Sequence, residues 1–387
     1  MLTSEFISVT VKSPQLCVLK VFIYLKIFFF NGIFIIVFII NNEQLKQFYR
    51  ECQKDKYIGI DTEFFWTQTY EPKLCLIQIA NKNNVCLIDP IKYNLDLNFI
   101  KKLLLNKKIK KILHSSSQDL RIFFNLFKVL PVNIFDTQIG VLPLGYNNSV
   151  SLKQICLNFL GINLEKDMST IDWRKRPLSD LQIEYAINDV KYLKLLHDRI
   201  KEKLIHKKRT SWIIIPHKKI LNVENFINKE KFVWKKIKFQ PKTKKEFLLI
   251  KKFSYIREKI AKKKNIPPKK IISDSLLIKL SKTFDFKKSK ILKNIGCEHF
   301  KDRVKKINSD KINFKNNDLE ISYNSLNKKV RNLQSILQQK AIKLNIHPSL
   351  IANKSEIKEM ILEKKIKHFS GWKKKILSQS MKNVIFK

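Results

Sequence analysis

The chain has 387 residues, enough for two or three domains, and 44% of them are hydrophobic, enough for real cores. Its 77 Lys+Arg against 33 Asp+Glu leave a formal net charge of +44. That balance points to a polyanionic partner, nucleic acid first and an anionic membrane surface second. Lys, Ile, Asn and Phe are used heavily throughout, so part of the charge is a compositional bias. Only 7 residues are glycine, against an average usage near ~7%. No glycine-rich phosphate loop or G-x-G-x-x-G turn can be assembled from them, which argues against a nucleotide cofactor. The 6 cysteines are scattered and never form C-x-x-C. They read as reduced core thiols of a cytosolic protein, not as a disulfide framework or a zinc site.

In chain order, Lys20–Ile40 is almost wholly apolar. By length it could span a bilayer or act as a signal anchor. The favoured alternative makes Phe34–Ile40 the first buried strand of a domain, preceded by an extension over 1–33. Asn41-Asn42-Glu43 then caps a helix through Tyr49. Strands are expected at Tyr57–Glu63, Leu74–Ala80 and Val85–Ile88, the last two separated by the turn Asn81–Asn84. A helix near Leu95–Leu105 leads to a strand at Lys111–His114. Ser115-Ser116-Ser117 offers an N-cap for a helix over Gln118–Phe127, and a strand follows at Val132–Phe135. Ser179-x-x-Gln182 is a capping box opening a long helix through about Leu204. Strands and helices alternating at this spacing predict an α/β domain with a covered sheet. Beyond His206 strand signals fade. Residues 240–387 read as two small lysine-rich helical modules, divided by the polar stretch Asn308–Asn324.

Tyr57–Glu63 ends abruptly in Asp-x-Glu. The period of two along a strand places Asp61 and Glu63 on one face. Two carboxylates side by side repel unless a cation neutralises them, and hard divalent ions take oxygen ligands of this kind. A solvated strand end with two unrelated acids is the alternative. Asp119 falls in the first turn of its helix, where an acid also complements the helix dipole. Asp189 lies four residues after Tyr185, so the two share a helical face.

Three segments, YIGIDTEFFWTQTYEPKLCLIQIA (57–80), ILHSSSQDLRIF (112–123) and DWRKRPLSDLQIEYAINDVKYL (172–193), resemble the exonuclease motifs of ribonuclease D. This is the DEDD superfamily of 3′→5′ exonucleases, in the variant whose third motif is Tyr-x-x-x-Asp. Gln118 stands where the family often has an acidic residue. Leu249–Leu280 and Leu333–Leu377 resemble the HRDC modules of bacterial ribonuclease D, which are expected to bind nucleic acid.

The resemblance implies a ribonuclease H-like mixed sheet flanked by helices over 34–206. It further implies a linker at 207–239, an all-α HRDC domain at 240–300, a second linker at 301–327 and an HRDC-like domain at 328–387. It also implies that Asp61, Glu63, Asp119 and Asp189 hold two divalent cations, Mg2+ or Mn2+, while Tyr185 positions a water. The product would be nucleoside 5′-monophosphates released from the 3′ ends of tRNA precursors and other structured RNAs. Phe64, Trp66 and Trp173, beside the motifs, are candidates to stack on terminal bases, with Trp173 favoured because its surroundings are polar. His114 is expected to orient a loop, since hard ions prefer oxygen. A cytoplasmic monomer without stable membrane association is expected. Two other readings stay open: a DNA 3′→5′ exonuclease, and a non-catalytic RNA-binding protein.

Overall fold

The computed structural model describes residues 24–29, 32–164, 171–227, 230, 233–239, 241, 243–283, 290–307, 323–366 and 369–386. Most of the expected linker at 301–327, and all but the end of the N-terminal extension, lie outside the described residues.

The chain opens with the strands β1 (Tyr24–Phe29) and β2 (Gly32–Ile39) and the helix α1 (Asn42–Cys52). The strands β3 (Tyr57–Phe65), β4 (Lys73–Ala80) and β5 (Asn84–Ile88) follow. Then come α2 (Asn98–Leu105), β6 (Lys110–Leu113), α3 (Ser117–Phe127), β7 (Ile134–Asp136), α4 (Thr137–Val141) and α5 (Leu152–Leu160). The long C-terminal helix expected from the capping box is instead two, α6 (Asp180–Lys191) and α7 (Leu193–His206), broken at Tyr192. Ser179 and Gln182 do close both halves of that box.

The strands form one seven-stranded sheet in the order β1-β2-β5-β4-β3-β6-β7. It is mixed: β1/β2, β3/β4 and β4/β5 are antiparallel, while β2/β5, β3/β6 and β6/β7 are parallel. Phe34–Ile40 falls in β2, where Ile36 and Ile39 are buried. The sheet begins one strand earlier than the sequence suggests, since β1, placed in the extension, pairs with β2 along its length. Among the described residues no helix is long and apolar enough to cross a membrane.

Alternation along the strands fills two cores. Ile58, Ile60, Ile77 and Ile79 face α1, α2 and α3, while Leu76, Ala80, Val85 and Leu87 face α5, α6 and α7. Burial of this apolar area is the main stabilising term. Between Glu63 and Phe64 the β3/β4 register slips by one, leaving Cys75 without a cross-strand partner. The Cys75 carbonyl accepts instead from Arg176 Nη2 at 2.9 Å.

Residues 207–239 are partly folded into short helices, among them α8 (Ile214–Ile220). Beyond them lie α9 (Lys244–Lys264), α10 (Pro268–Ile271), α11 (Asp274–Lys282), α12 (Lys290–Lys293) and α13 (Glu298–Lys305), around a third core. A fourth core holds α14 (Tyr323–Leu344), α15 (Lys354–Glu363) and α16 (Gln379–Phe386). Both helical modules touch the sheet domain. Tyr70 donates from Oη to Glu258 at 2.9 Å and from its backbone N–H to Asn265 Oδ1 at 3.2 Å. Arg209 donates to the carbonyls of Pro143 at 2.6 Å and Leu344 at 2.7 Å. Trp212 and Trp372 stack with centroids 3.8 Å apart, and Lys219 pairs with Glu356.

Candidate active site

The end of β3 is where the acids meet. Asp61 and Glu63 point to the face covered by α6, and Asp189 on α6 comes down to them. One oxygen from each lies within 4.8 Å of the others. What lets α6 come this close is Gly59, two residues before Asp61 on the same face. A Cβ there would stand 2.7 Å from the Val190 carbonyl and 3.3 Å from Leu193 Cβ, at the α6–α7 break. The strand therefore needs a residue without a side chain for Asp189 to arrive.

Asp119 approaches from the other side. It is the third residue of α3 and 4% exposed. Thr62, between the two β3 acids and facing α3, donates to its Oδ1 at 2.5 Å. Ser116, the N-cap of α3, does not cap the helix by its side chain. Asp136, at the end of β7, fixes this turn instead, accepting from Ser116 N at 2.8 Å, Ser116 Oγ at 2.7 Å and Ser115 N at 3.3 Å. Neither Thr62 nor Asp136 stands out in the sequence, because their roles depend on partners brought together only by the fold.

Burial makes two of these carboxylates, Asp61 and Asp119, hard to ionise. Asp61 is raised well above the usual range, first by burial, then by the charges of Asp119, Asp189 and Glu63. Asp119 is pushed up to about 7 by burial, with the Thr62 hydroxyl pulling the other way. A cluster of oxygen donors that pay so much to be charged is suited to a hard divalent cation, which would restore the ionised form. Among the described residues no sulfur or imidazole joins the cluster. His114 is turned away, its Nδ1 2.9 Å from Thr137 Oγ1, and burial holds it below the usual imidazole range.

Residues 36–205, which hold all four acids, match the family described as 3′-5′ exonuclease. Over this stretch the chain is similar to 3′–5′ exonuclease domains, and the chain spans about half to two thirds of the length of the first ribonuclease D relatives it matches. The chain is 37% identical over 225 residues to ribonuclease D of Bartonella henselae, a match covering 58% of this chain and 55% of that protein. It is 28% identical over 354 residues to ribonuclease D of Desulfotalea psychrophila, covering 87% and 94%. The fold is that of Escherichia coli RNase D, with a TM-score of 0.72 at 20% identity over 90% of this chain and 97% of that one.

Within this domain, Tyr185 is half-buried on α6, one turn before Asp189. Its ring packs on Trp173 with centroids 6.1 Å apart. Trp173 is 0% exposed, so the expectation that it stacks on a base is wrong. The turn around it is folded inward by Arg176, which forks onto Asp89 at 2.5 and 2.7 Å and donates to the Trp173 carbonyl at 2.8 Å. Polar neighbours in sequence thus surround a side chain that faces the core. Phe64 and Trp66 remain half-buried at the strand end, edge to face at 6.5 Å. Arg121 lies over Trp66 at 4.8 Å and pairs with Glu71 at 2.8 Å, fastening this loop to α3.

Proposed function

We propose that the chain is a 3′→5′ exoribonuclease that hydrolyses RNA from its 3′ end and releases nucleoside 5′-monophosphates. The observation that carries this reading is the convergence of Asp61, Glu63 and Asp189, with Asp119 opposite, in a domain of the 3′–5′ exonuclease family. In this reading the four carboxylates hold two divalent cations, Mg2+ or Mn2+. Bound there, such ions supply a water activated for attack and charge stabilisation for the departing 3′-oxygen. The chain's own residues do the rest. Asp61 and Glu63 would hold the ions from the strand, Asp189 from the helix, and Asp119, which accepts from Thr62, from the other side. Tyr185 orients the water through its hydroxyl, and Phe64 and Trp66 offer rings to the terminal bases, where stacking contributes about 1–3 kcal/mol per base.

The helical modules are read as HRDC-like domains at 240–300 and 328–387 that grip the folded body of a tRNA precursor or another structured RNA. The single-stranded 3′ tail then reaches the acids. The protein is read as a cytoplasmic monomer. The test is incubation of the full chain with labelled tRNA precursors and matched DNA, in magnesium and in chelator. Stepwise 3′ shortening of RNA only with magnesium is expected, and Asp61→Asn should abolish it while RNA binding persists. Equal shortening of the DNA would make the chain a general 3′ exonuclease. RNA binding without any cleavage would leave it a binding protein.

A further inference from the structure

Directly across the β3/β4 ladder from Asp61 stands Gln78. Leu76, Gln78 and Ala80 share the strand face that α6 covers. Partners opposite each other in an antiparallel pair hold their Cβ atoms about 4.5–5.5 Å apart on the same face. Gln78 is thus the nearest cross-strand neighbour of the central acid, with Leu87 of β5 on its other side. It is 0% exposed, and both its Oε1 and its Nε2 are without a hydrogen-bond partner.

That combination is costly. A buried amide that pairs with nothing forfeits its hydration, and an apolar side chain of the same length would fill the space at no such cost. Packing therefore does not account for a glutamine at this position. Asp61 does: it stands directly across the ladder on the same face, and a carboxylate oxygen is the natural acceptor for an amide N–H.

We propose that Gln78 is a positioning residue for the candidate metal site. Its Nε2 donates to the Asp61 carboxylate when a divalent cation is bound, fixing which oxygen faces the ion. The amide sits at the end of several rotatable side-chain torsions, on the residue directly opposite Asp61. Ligand-orienting partners of this kind typically change metal affinity by about 10–100-fold. The inference rests on the metal reading of the four acids.

The test uses the full chain, the apolar variant Gln78→Met and the control Asp61→Asn. Mn2+ affinity is measured by calorimetry and Tm is measured in chelator. Gln78→Met is expected to keep or raise Tm in chelator, because it removes two orphaned polar atoms, and to weaken Mn2+ binding by about 10–100-fold. Unchanged Mn2+ affinity would overturn the proposal. So would weaker binding accompanied by a lower Tm in chelator, since that pattern marks a packing defect. The control separates the two levels. If Asp61→Asn binds Mn2+ as the parent does, the metal reading itself falls, and Gln78 with it.

Discussion

Asp119 is an acid that prefers its proton. Burial holds it at about 7 in the folded protein against an ordinary 3.8, and Asp61 is displaced the same way. Between those values the unfolded chain has released its proton while the folded chain keeps it, so folding becomes less favourable as pH rises from about 4 to about 7. Tm in chelator is therefore expected to fall across that window, and Asp119→Asn should flatten the fall. Added Mg2+ should raise Tm more at about pH 8 than at about pH 5, because the ion needs the carboxylates ionised. A magnesium effect independent of pH would contradict this. Tyr185 is a different case. A phenol is a poor base at neutral pH, so the task proposed for it is orientation. Tyr185→Phe keeps the ring on Trp173 and should lower turnover by about 10²–10³-fold with metal affinity unchanged; wild-type turnover would make it a packing residue only. At this scale the sequence reads well where side-chain type and spacing carry the chemistry, as in Asp61-x-Glu63 and Tyr185-x-x-x-Asp189. It reads poorly for Trp173, because nothing in the run from Asp172 to Pro177 says that Arg176 folds the turn inward onto Asp89. Thr62 and Asp136 were hidden for the same reason: each meets its partner across a separation of 57 or 20 residues.

The strands of the site were legible because burial on alternating faces writes a period of two into Tyr57–Glu63 and Leu74–Ala80. Their ends were less so. The register slip opposite Phe64 depends on how Cys75 is satisfied, and the break at Tyr192 depends on how α6 and α7 wrap the sheet; neither is a local property. Gly59 links the two elements that carry the acids. Gly59→Ala would place its Cβ against the Val190 carbonyl, a backbone atom that yields only if the helix moves. Lifting α6 draws Asp189 away from Asp61 and Glu63. Mn2+ affinity should fall by at least about tenfold, and stability by an amount typical of overpacking, about 1–3 kcal/mol. Unchanged Mn2+ affinity in a folded Gly59→Ala protein would show that the helix position does not set the site.

At the scale of the whole molecule, the sheet domain carries its own two cores, and each helical module adds a further one. A chain cut after Phe239 should therefore still shorten short single-stranded RNA. It should lose affinity for folded precursors, and its log affinity should depend less steeply on log salt, because fewer lysines displace counterions. Undiminished binding of folded RNA by the cut chain would deny the modules that role. The composition foretold helices there, but not where they dock, because docking is written in single residues such as Tyr70 and Arg209. Arg209 is the more telling of the two. Its guanidinium holds the carbonyl of Pro143 and that of Leu344, which lies 135 residues later in the chain. During synthesis from the N-terminus, one half of this clasp is ready long before its counterpart leaves the ribosome. Maturation of the protein thus has a built-in order: the sheet domain takes shape first, and the clasp shuts only after Leu344 has emerged.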